Sequence, residues 1–200
     1  MLPYITLLGD ARLLLPASVA LFFWLRFRGD HKAAAAWLVA LAACLALTVV
    51  SKLLFYKCGW RVGPYRLNSP SGHASLGITF FGCWVLLAIE RDRIFRSLLL
   101  VVTTLVFIAL LAYSRIALRH HSLAEVLIGS TIGIGCLALF WSLRARPRFL
   151  TERLTPLVFG LALGGMMLAL WQSNVEPTIR AVAYSYDLSI GLCGFIPLPR

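Results

Sequence analysis

Residues 97–143 read SLLLVVTTLVFIALLAYSRIALRHHSLAEVLIGSTIGIGCLALFWSL, two long apolar runs separated by a polar stretch. The first run covers residues 97–113 and the second covers residues 122–143. A membrane-spanning helix needs about 20 predominantly apolar residues, and neither run shows the alternation of a strand. In lipid, a helix satisfies its own backbone hydrogen bonds. The segment therefore predicts two membrane helices, with arginine, histidine and glutamate side chains gathered at the turn between them.

The composition of the whole chain supports this interpretation. The chain has 200 residues, of which 60% are hydrophobic and 14% charged, and its mean hydropathy is +0.84. Soluble domains contain about 25% charged residues, so this composition is typical of a membrane protein. The formal net charge of +11 does not indicate a nucleic-acid partner. In a membrane protein, excess Lys and Arg mark cytoplasmic loops and contacts with anionic head groups.

Apolar stretches elsewhere in the chain bring the expected number of spans to six. They cover residues 13–27, 33–56, 71–89, 97–113, 122–143 and 154–171. We expect an all-α integral membrane bundle of about six transmembrane helices. Residues 1–200 should form a single domain, with a core at about 13–171 and an outer-face tail at 172–200. The first residues lack the basic start of a signal peptide, so the first helix is expected to be retained.

The distribution of Lys and Arg predicts the orientation. The basic turns RFRGDHK, ERDRIFR and RARPRFLTER follow the first, third and fifth spans. Two other connectors, residues 52–70 and 114–121, follow the second and fourth spans and hold the histidine-containing stretches. The positive-inside rule places the basic turns in the cytoplasm. We therefore expect a multi-pass protein of a bacterial inner (cell) membrane, with both histidine stretches on the outer, periplasmic face.

The stretch SPSGHAS, residues 69–75, carries the first candidate site residues. Pro70 and Ser71 are start signals for the third span, with proline suited to the first turn. The unpaired N–H groups at such a start attract phosphate. Gly72 would let a ligand approach the backbone closely, and His73 would project beside any anion held there.

The polar turn after residue 113 carries the second set of candidates. If a helix begins near Ser122, His121 and Glu125 can share one face. A carboxylate bonded to one ring nitrogen fixes the histidine tautomer and makes the other nitrogen a better nucleophile. Arg115 offers a planar fork suited to phosphate oxygens. A nucleophile, a carboxylate that orients it and a phosphate clamp thus lie close together in the sequence.

These residues resemble the sequence blocks of the type-2 phosphatidate phosphatases, membrane lipid phosphatases related to the vanadium haloperoxidases. That family shows a Lys-x6-Arg-Pro block, a Pro-Ser-Gly-His block and a Ser-Arg-x5-His-x3-Asp block. The second block is intact here at residues 70–73, and Ser-Arg at residues 114–115 is followed by His121 and Glu125 at the family spacing. The resemblance covers residues 52–125 directly.

Two departures from the family pattern stand out. Glu125 occupies the position of the family's Asp, which keeps the charge and adds one methylene. In the first block, the residue seven positions after Lys52 is Gly59 and not arginine. Arg61 follows two residues later, and Arg66 is a competing candidate for the same phosphate contact.

The resemblance implies a two-step reaction on a lipid phosphate or diphosphate, with no metal and no cofactor. His121, oriented by Glu125, attacks phosphorus to give a phosphohistidine. His73 protonates the leaving group and then activates water. The groups that would hold the phosphoryl oxygens are Lys52, Arg61, Ser71, Gly72 and Arg115.

Alternatives remain at individual positions. His120 faces away from His121 on a helix and is expected to be interfacial. A metal site built from His120, His121 and Glu125 is a further alternative. Arg119 could assist substrate binding or contact a lipid head group. Gly129-x-x-x-Gly133 and Gly160-x-x-x-Gly164 predict close helix packing, either inside the monomer or at a dimer contact, and the oligomeric state is left open.

The function also keeps two alternatives beside the hydrolase. A phosphotransferase would use the same histidine and pass the phosphoryl group to an alcohol. A non-catalytic lipid-phosphate binder or transporter would keep the binding groups without the reaction. In each case the expected partners are a lipid phosphate or diphosphate and the bilayer, and not nucleic acid.

Overall fold

The computed structural model describes residues 2–58, 61–62, 65–67, 69–89, 93–144 and 179–182. Six helices lie within these ranges: α1 (Leu2–Leu7), α2 (Ala11–Phe27), α3 (His31–Cys58), α4 (Gly72–Ala88), α5 (Ile94–Ala117) and α6 (Leu123–Leu143). Residues 179–182 add a helical turn. The predicted sixth span at 154–171, with Gly160 and Gly164, lies outside the described residues, as does most of the predicted tail.

Within the described residues, the extended structure consists of a short hairpin between α3 and α4. Its strands are β1 (Arg61–Val62) and β2 (Tyr65–Arg66), which pair antiparallel with Arg61 opposite Arg66. The sequence analysis did not predict this hairpin, because two-residue strands are too short to show an alternating pattern. The all-α class is nevertheless confirmed.

Four helices begin after a residue whose side chain caps the first turn. Asp10 caps α2, Asp30 caps α3, Ser71 caps α4 and Ser122 caps α6. In each case a side-chain oxygen accepts a backbone N–H that has no partner within the helix. Because Ser71 is the cap, Pro70 lies just before α4 and not in its first turn.

Two helices extend beyond the apolar runs that predicted them. α3 continues to Cys58 and α5 to Ala117, so Arg115 lies on a helix and not in a connector, whereas Lys52 lies within the predicted second span. A helical backbone continues past the end of its apolar stretch until a stop signal ends it, and a basic side chain suits the last turn. The N-terminal helix α1 was not predicted as a separate element.

Three of the described helices are long and apolar enough to cross a membrane. They are residues His31–Tyr56 of α3, the whole of α5 and the whole of α6, whereas α4 is a shorter apolar helix. α5 exposes most of its apolar side chains, including Leu98, Leu105 and Val106. A continuous apolar surface of this kind suits lipid and not water. The helices thus support the predicted membrane protein.

α4 lies at the centre of the bundle and packs against α2, α3, α5 and α6. Trp37 of α3 contacts Phe80 of α4 and Phe140 of α6 edge-to-face, with ring centroids 5.8 and 6.4 Å away. The Trp37 indole N–H donates to the carbonyl oxygen of Ser18 in α2 at 2.9 Å. The indole is therefore buried without losing its hydrogen bond, and it ties four helices together.

Small residues allow α6 to approach α4 closely. A Cβ at Gly129 would overlap the backbone oxygen of Ser71, and a Cβ at Gly133 would lie 2.7 Å from the backbone oxygen of Ser75. Gly129-x-x-x-Gly133 therefore packs two helices of the same monomer. Since Ser71 caps α4, this contact also sets the position of the start of α4.

We predict that Gly133→Ala lowers the stability of the protein and its activity together. The new Cβ would force α6 away from α4, at a cost of about 1–3 kcal/mol. Gly135→Ala is the matched control on the same helix, because a Cβ there meets nothing within 4 Å. Thermal unfolding in detergent, followed by tryptophan fluorescence, measures the stability of both variants, and an activity assay on the same samples measures the second effect. Equal midpoints for the two variants would contradict the packing described here.

Candidate active site

One cavity of about 410 Å³ lies where α2, α4 and α6 begin and α3 and α5 end. Its polar lining comes from all these segments except α6, whose preceding turn contributes two histidines. Ile179 and Arg180 border it from the C-terminal part of the chain. The polar residues are Asp10, Arg12, Thr48, Lys52, Tyr56, Ser69, His73, Ser75, Arg115, His120, His121 and Arg180. Gly72 lines the cavity as well, so six of the residues predicted or considered from the sequence share it with residues that were not.

The turn between α5 and α6 positions the histidine pair. The N–H groups of His120 and His121 both donate to the carbonyl oxygen of Arg115, at 3.0 and 3.2 Å, and that of Arg119 donates to Ile116 at 2.9 Å. Arg119 has a φ of 56°, the left-handed conformation of a Schellman helix ending. This ending reverses the chain, so His121 stays beside the last turn of α5 and reaches the cavity.

His121 and Glu125 form a close pair. The Nδ1 atom of His121 lies 3.1 Å from Glu125 Oε2, and only 11% of the His121 side chain is exposed. A carboxylate can only accept a hydrogen bond, so the proton of neutral His121 resides on Nδ1. The lone pair is then on Nε2. This is the tautomer that a nucleophilic histidine requires.

Glu125 also joins α6 to the segment before α4. Its Oε2 accepts the N–H of Ser122 at 2.9 Å, completing a capping box, and its Oε1 accepts the N–H of Ser69 at 3.2 Å. Its backbone oxygen accepts the N–H of Ser71 at 3.0 Å. Glu125 is buried, with 3% exposure. The family that the sequence resembles has aspartate at this position. A capping box instead uses glutamate or glutamine, as this chain does.

The start of α4 retains donors that point away from the helix. The hydroxyl of Ser71 accepts the N–H of Ala74 at 3.4 Å, and the N–H of Ser71 is used by Glu125. An N–H in the first turn has no acceptor within its own helix, so Gly72 and His73 present their N–H groups at the end of α4 that borders the cavity. The predicted phosphate contact of this segment thus falls on Gly72 and His73 more than on Ser71.

Two of the predicted cations reach the cavity from different helices. Lys52 is buried on α3, and its Cε would lie 3.7 Å from a Cβ at Gly72, so its stem runs beside the first turn of α4. Arg115 lies in the last turn of α5, and its Nη1 donates to the hydroxyl of Thr6 in α1 at 2.9 Å. Both line the cavity together with His73 and His121. An anion in the cavity would therefore meet positive charge from α3 and α5.

The other two predicted cations lie on the hairpin. The backbones of Arg61 and Arg66 are opposite each other across β1 and β2. Their side chains lie outside the described residues, so their phosphate contacts stay predictions.

The structure places an acidic residue at the site that the sequence analysis missed. Oδ2 of Asp10 lies 3.7 Å from Nε2 of His73. Asp10 also accepts from the Arg12 backbone N–H at 2.9 Å and from its guanidinium at 3.0 and 2.9 Å. An aspartate immediately before an apolar helix is an N-cap signal, and that signal could have found the start of α2. Its contact with His73 could not be found, because it depends on tertiary packing.

The Asp10 carboxyl is held in its charged form. Burial pushes the pKa of Asp10 upward, but hydrogen bonds from the side chain and backbone of Arg12, and the charges of His73 and Arg12, bring it below its ordinary value. The site therefore contains a carboxylate at neutral pH, contributed by the α1–α2 turn.

The alternatives raised for the polar turn concern His120, a metal site and Arg119, and they have different outcomes. His120 is exposed yet lines the cavity, and burial together with Arg115 and His121 lowers its pKa. Among the described residues, no group of three potential metal ligands is present, so the alternative of a metal site at His120, His121 and Glu125 gains no support. Arg119 serves the turn through its backbone conformation.

We predict that Glu125→Gln reduces kcat/KM by roughly 100-fold or more, because a neutral amide no longer stabilises a charged His121. Glutamine also completes capping boxes, but its NH2 group replaces one of the two oxygens that accept a backbone N–H, so the midpoint of thermal unfolding should fall as well. Ser122→Ala is the reciprocal control. It removes the cap at a cost of about 1 kcal/mol and should leave kcat/KM close to that of the wild type. Equal activities of the wild type and Glu125→Gln would show that the pair is structural.

Two comparisons relate the chain to known proteins. The family model described as the PAP2 superfamily matches residues 52–149, a range that contains Lys52, His73, Arg115, His121 and Glu125. A Klebsiella pneumoniae protein described as an uncharacterized 22.5 kDa protein in the cps region is 32% identical over 145 residues. That alignment covers 71% of this chain and 68% of the relative. No solved structure matches the chain significantly.

Proposed function

The chain belongs to the PAP2 superfamily, and we propose that it is a membrane lipid phosphatase that works through a phosphohistidine at His121. Family membership by itself supports a phosphatase-type activity on phosphate esters. The proposal adds the lipid substrate, the histidine intermediate, independence from metal ions and a site on the outer face of the membrane.

One observation carries the histidine mechanism. The buried carboxylate of Glu125 holds the Nδ1 proton of His121, and His121 borders a cavity that Lys52 and Arg115 also line. Nε2 of His121 can therefore attack an anion that two cations hold nearby. Positive side chains of this kind stabilise the charge of a phosphoryl-transfer transition state.

The proposed reaction has two steps. Nε2 of His121 bonds to phosphorus as the bond to the leaving oxygen breaks, and His73 gives that oxygen a proton. Neutral His73 then takes a proton from water as the water oxygen attacks phosphorus and the phosphorus–nitrogen bond breaks. Free phosphate leaves, and both histidines return to their starting protonation states.

The lining of the cavity supports an amphiphilic substrate. Beside the polar groups, the cavity is lined by Leu15 of α2, Leu45 and Val49 of α3, and Leu76 of α4. A phosphate at the polar end would thus have apolar side chains next to its ester group. α3 is long and apolar enough to cross a membrane. The tail of a bound lipid would therefore lie along α3, next to these apolar side chains.

The distribution of charge supports an outward-facing site. Basic residues of the α2–α3 turn and of the start of α5, such as Arg26, Lys32 and Arg93, lie at the opposite end of the helices from the cavity. The positive-inside rule assigns that end to the cytoplasm. The cavity would then face the periplasm of a bacterial inner membrane, level with the lipid head groups.

The first test measures phosphate release from a panel of lipid phosphates and diphosphates in detergent micelles containing EDTA. We expect the wild type to release phosphate, and His121→Ala to be slower by roughly 1,000-fold or more. His31→Ala is the matched control, because His31 is exposed at the start of α3 and remote from the cavity. Loss of wild-type activity in EDTA would contradict metal independence, and activity that survives in His121→Ala would contradict the mechanism.

A second test separates lipid from water-soluble substrates. Leu45→Trp should fill the apolar side of the cavity and raise KM for a lipid phosphate by about 10-fold. It should have little effect on p-nitrophenyl phosphate, which has no tail. Leu47→Trp on the same helix is the control, since Leu47 is exposed on the surface and does not line the cavity. Equal effects of Leu45→Trp on both substrates would remove the support for a tail site here.

A further inference from the structure

The two histidines proposed to take part in the reaction each face a carboxylate. His121 is paired with Glu125, as the sequence predicts, and His73 faces Asp10 across 3.7 Å. The Asp10 and His73 side chains are 16% and 21% exposed, so the pair is largely shielded from solvent. A separation of 3.7 Å is too long for a hydrogen bond but short enough for a strong interaction between charges.

The position of Asp10 is fixed by several contacts. Its carboxylate caps α2 and forms a two-pronged pair with Arg12. The preceding residue, Gly9, packs directly on Leu111 of α5, where a Cβ would lie 2.7 Å from a Leu111 methyl carbon. The N–H of Asp10 donates to the carbonyl oxygen of Leu7 at 3.0 Å. The α1–α2 turn thus holds the carboxylate at the cavity and does not let it turn towards solvent.

His73 would otherwise be surrounded mainly by positive charge. Lys52 from α3 and Arg115 from α5 both act on it electrostatically, as does His121 from the α5–α6 turn. Burial, together with these three groups, lowers the pKa of His73 to about 3, and Asp10 opposes that shift by favouring a proton. The remaining charged or titratable residues that line the same cavity are Arg12, Tyr56, His120 and Arg180.

We propose that Asp10 is a positioning residue that favours the protonated form of His73 in the complex with substrate, for its role as general acid. This inference rests on the proposed function. The negative charges of Asp10 and of a bound phosphate together offset the positive charge around His73, so that His73 takes up a proton with the substrate and gives this Nε2 proton to the leaving oxygen as the phosphorus–oxygen bond breaks. Because 3.7 Å separates Nε2 from the carboxylate, Asp10 does not accept that proton, which stays available for the substrate. After water attack, His73 regains the proton.

The competing explanation is that Asp10 is structural and only caps α2 and pairs with Arg12. Asp10→Asn separates the two explanations, because asparagine is as good an N-cap as aspartate but carries no charge. Arg12→Gln is the matched control, since it breaks the pair with Arg12 and leaves the Asp10 carboxylate beside His73. Asp10→Ser, which keeps a capping oxygen, replaces the asparagine variant if that variant unfolds at lower temperature.

The experiment measures kcat as a function of pH for two substrates. The alkoxide of dodecyl phosphate needs a proton to leave, whereas p-nitrophenolate leaves without one. For dodecyl phosphate, Asp10→Asn should move the alkaline fall in kcat, which reports the enzyme–substrate complex, to lower pH by about 1 unit or more, because an anion at this distance shifts a titration by that amount. At pH values above the new fall, the loss is about 10-fold or more. For p-nitrophenyl phosphate, the rate should stay within about 3-fold of the wild type.

Two further variants complete the design. Arg12→Gln should retain the alkaline fall of the wild type or move it to higher pH. In a His73→Asn background, the change at Asp10 should have no additional effect, because the group it acts on is gone.

The outcomes distinguish this inference from the proposed function. If Asp10→Asn keeps the wild-type pH profile and the wild-type ratio of the two substrates while His121→Ala is inactive, the role of Asp10 is overturned and the phosphatase stands. If Arg12→Gln reproduces the loss seen with Asp10→Asn, the structural explanation is correct. If the wild type releases no phosphate from either substrate, or His121→Ala releases it normally, the proposed function itself fails.

Discussion

Glu125 accepts hydrogen bonds from two separate parts of the chain, the segment before α4 and the turn before α6, and the geometry of the site depends on them. One carboxylate oxygen bonds to the N–H of Ser69 before α4, and the other bonds to the cap of α6 and faces His121. A buried carboxylate needs such partners, since each oxygen left without one would cost free energy. The same side chain therefore connects α6 to α4 and sets the tautomer of the histidine. Structure and chemistry cannot be changed separately at this position, which is why the glutamine variant, with the same shape, is more informative there than alanine.

The close contact of α4 and α6 places the rest of the site around that carboxylate. Gly129 and Gly133 have no side chain, so the backbones of α4 and α6 come into direct contact there. The start of α4, with its outward-pointing N–H groups, then lies beside the start of α6. The Trp37 contacts bring α3 against both helices, which carries Lys52 to the first turn of α4. In lipid, where burial of apolar surface between helices adds little, such packing and hydrogen bonding supply much of the specificity.

The sequence predicted the parts of this arrangement that depend on local patterns. Apolar runs predicted α2, α3, α4, α5 and α6 within a few residues, and the four-residue spacing from His121 to Glu125 predicted that they could meet. The end of α5 was placed too early, because polar residues such as Arg115 continue a helix whose apolar run has stopped. Asp10 was missed for another reason: it is far from His73 in the sequence, and a capping aspartate is common. Its place at the site follows from the packing of the α1–α2 turn on α5, which no local pattern records.

The most direct test of the account is to trap the phosphorylated enzyme. His73→Asn should accept a phosphoryl group from radiolabelled p-nitrophenyl phosphate, whose leaving group needs no proton, and should hydrolyse the intermediate slowly because the base that activates water is missing. After an alkaline quench and proteolysis, we expect an acid-labile, alkali-stable label on the peptide that contains His121, and no label in His121→Ala. Label on any other residue, or phosphate release by the wild type with no labelled enzyme in His73→Asn under single-turnover conditions, would contradict the phosphohistidine mechanism.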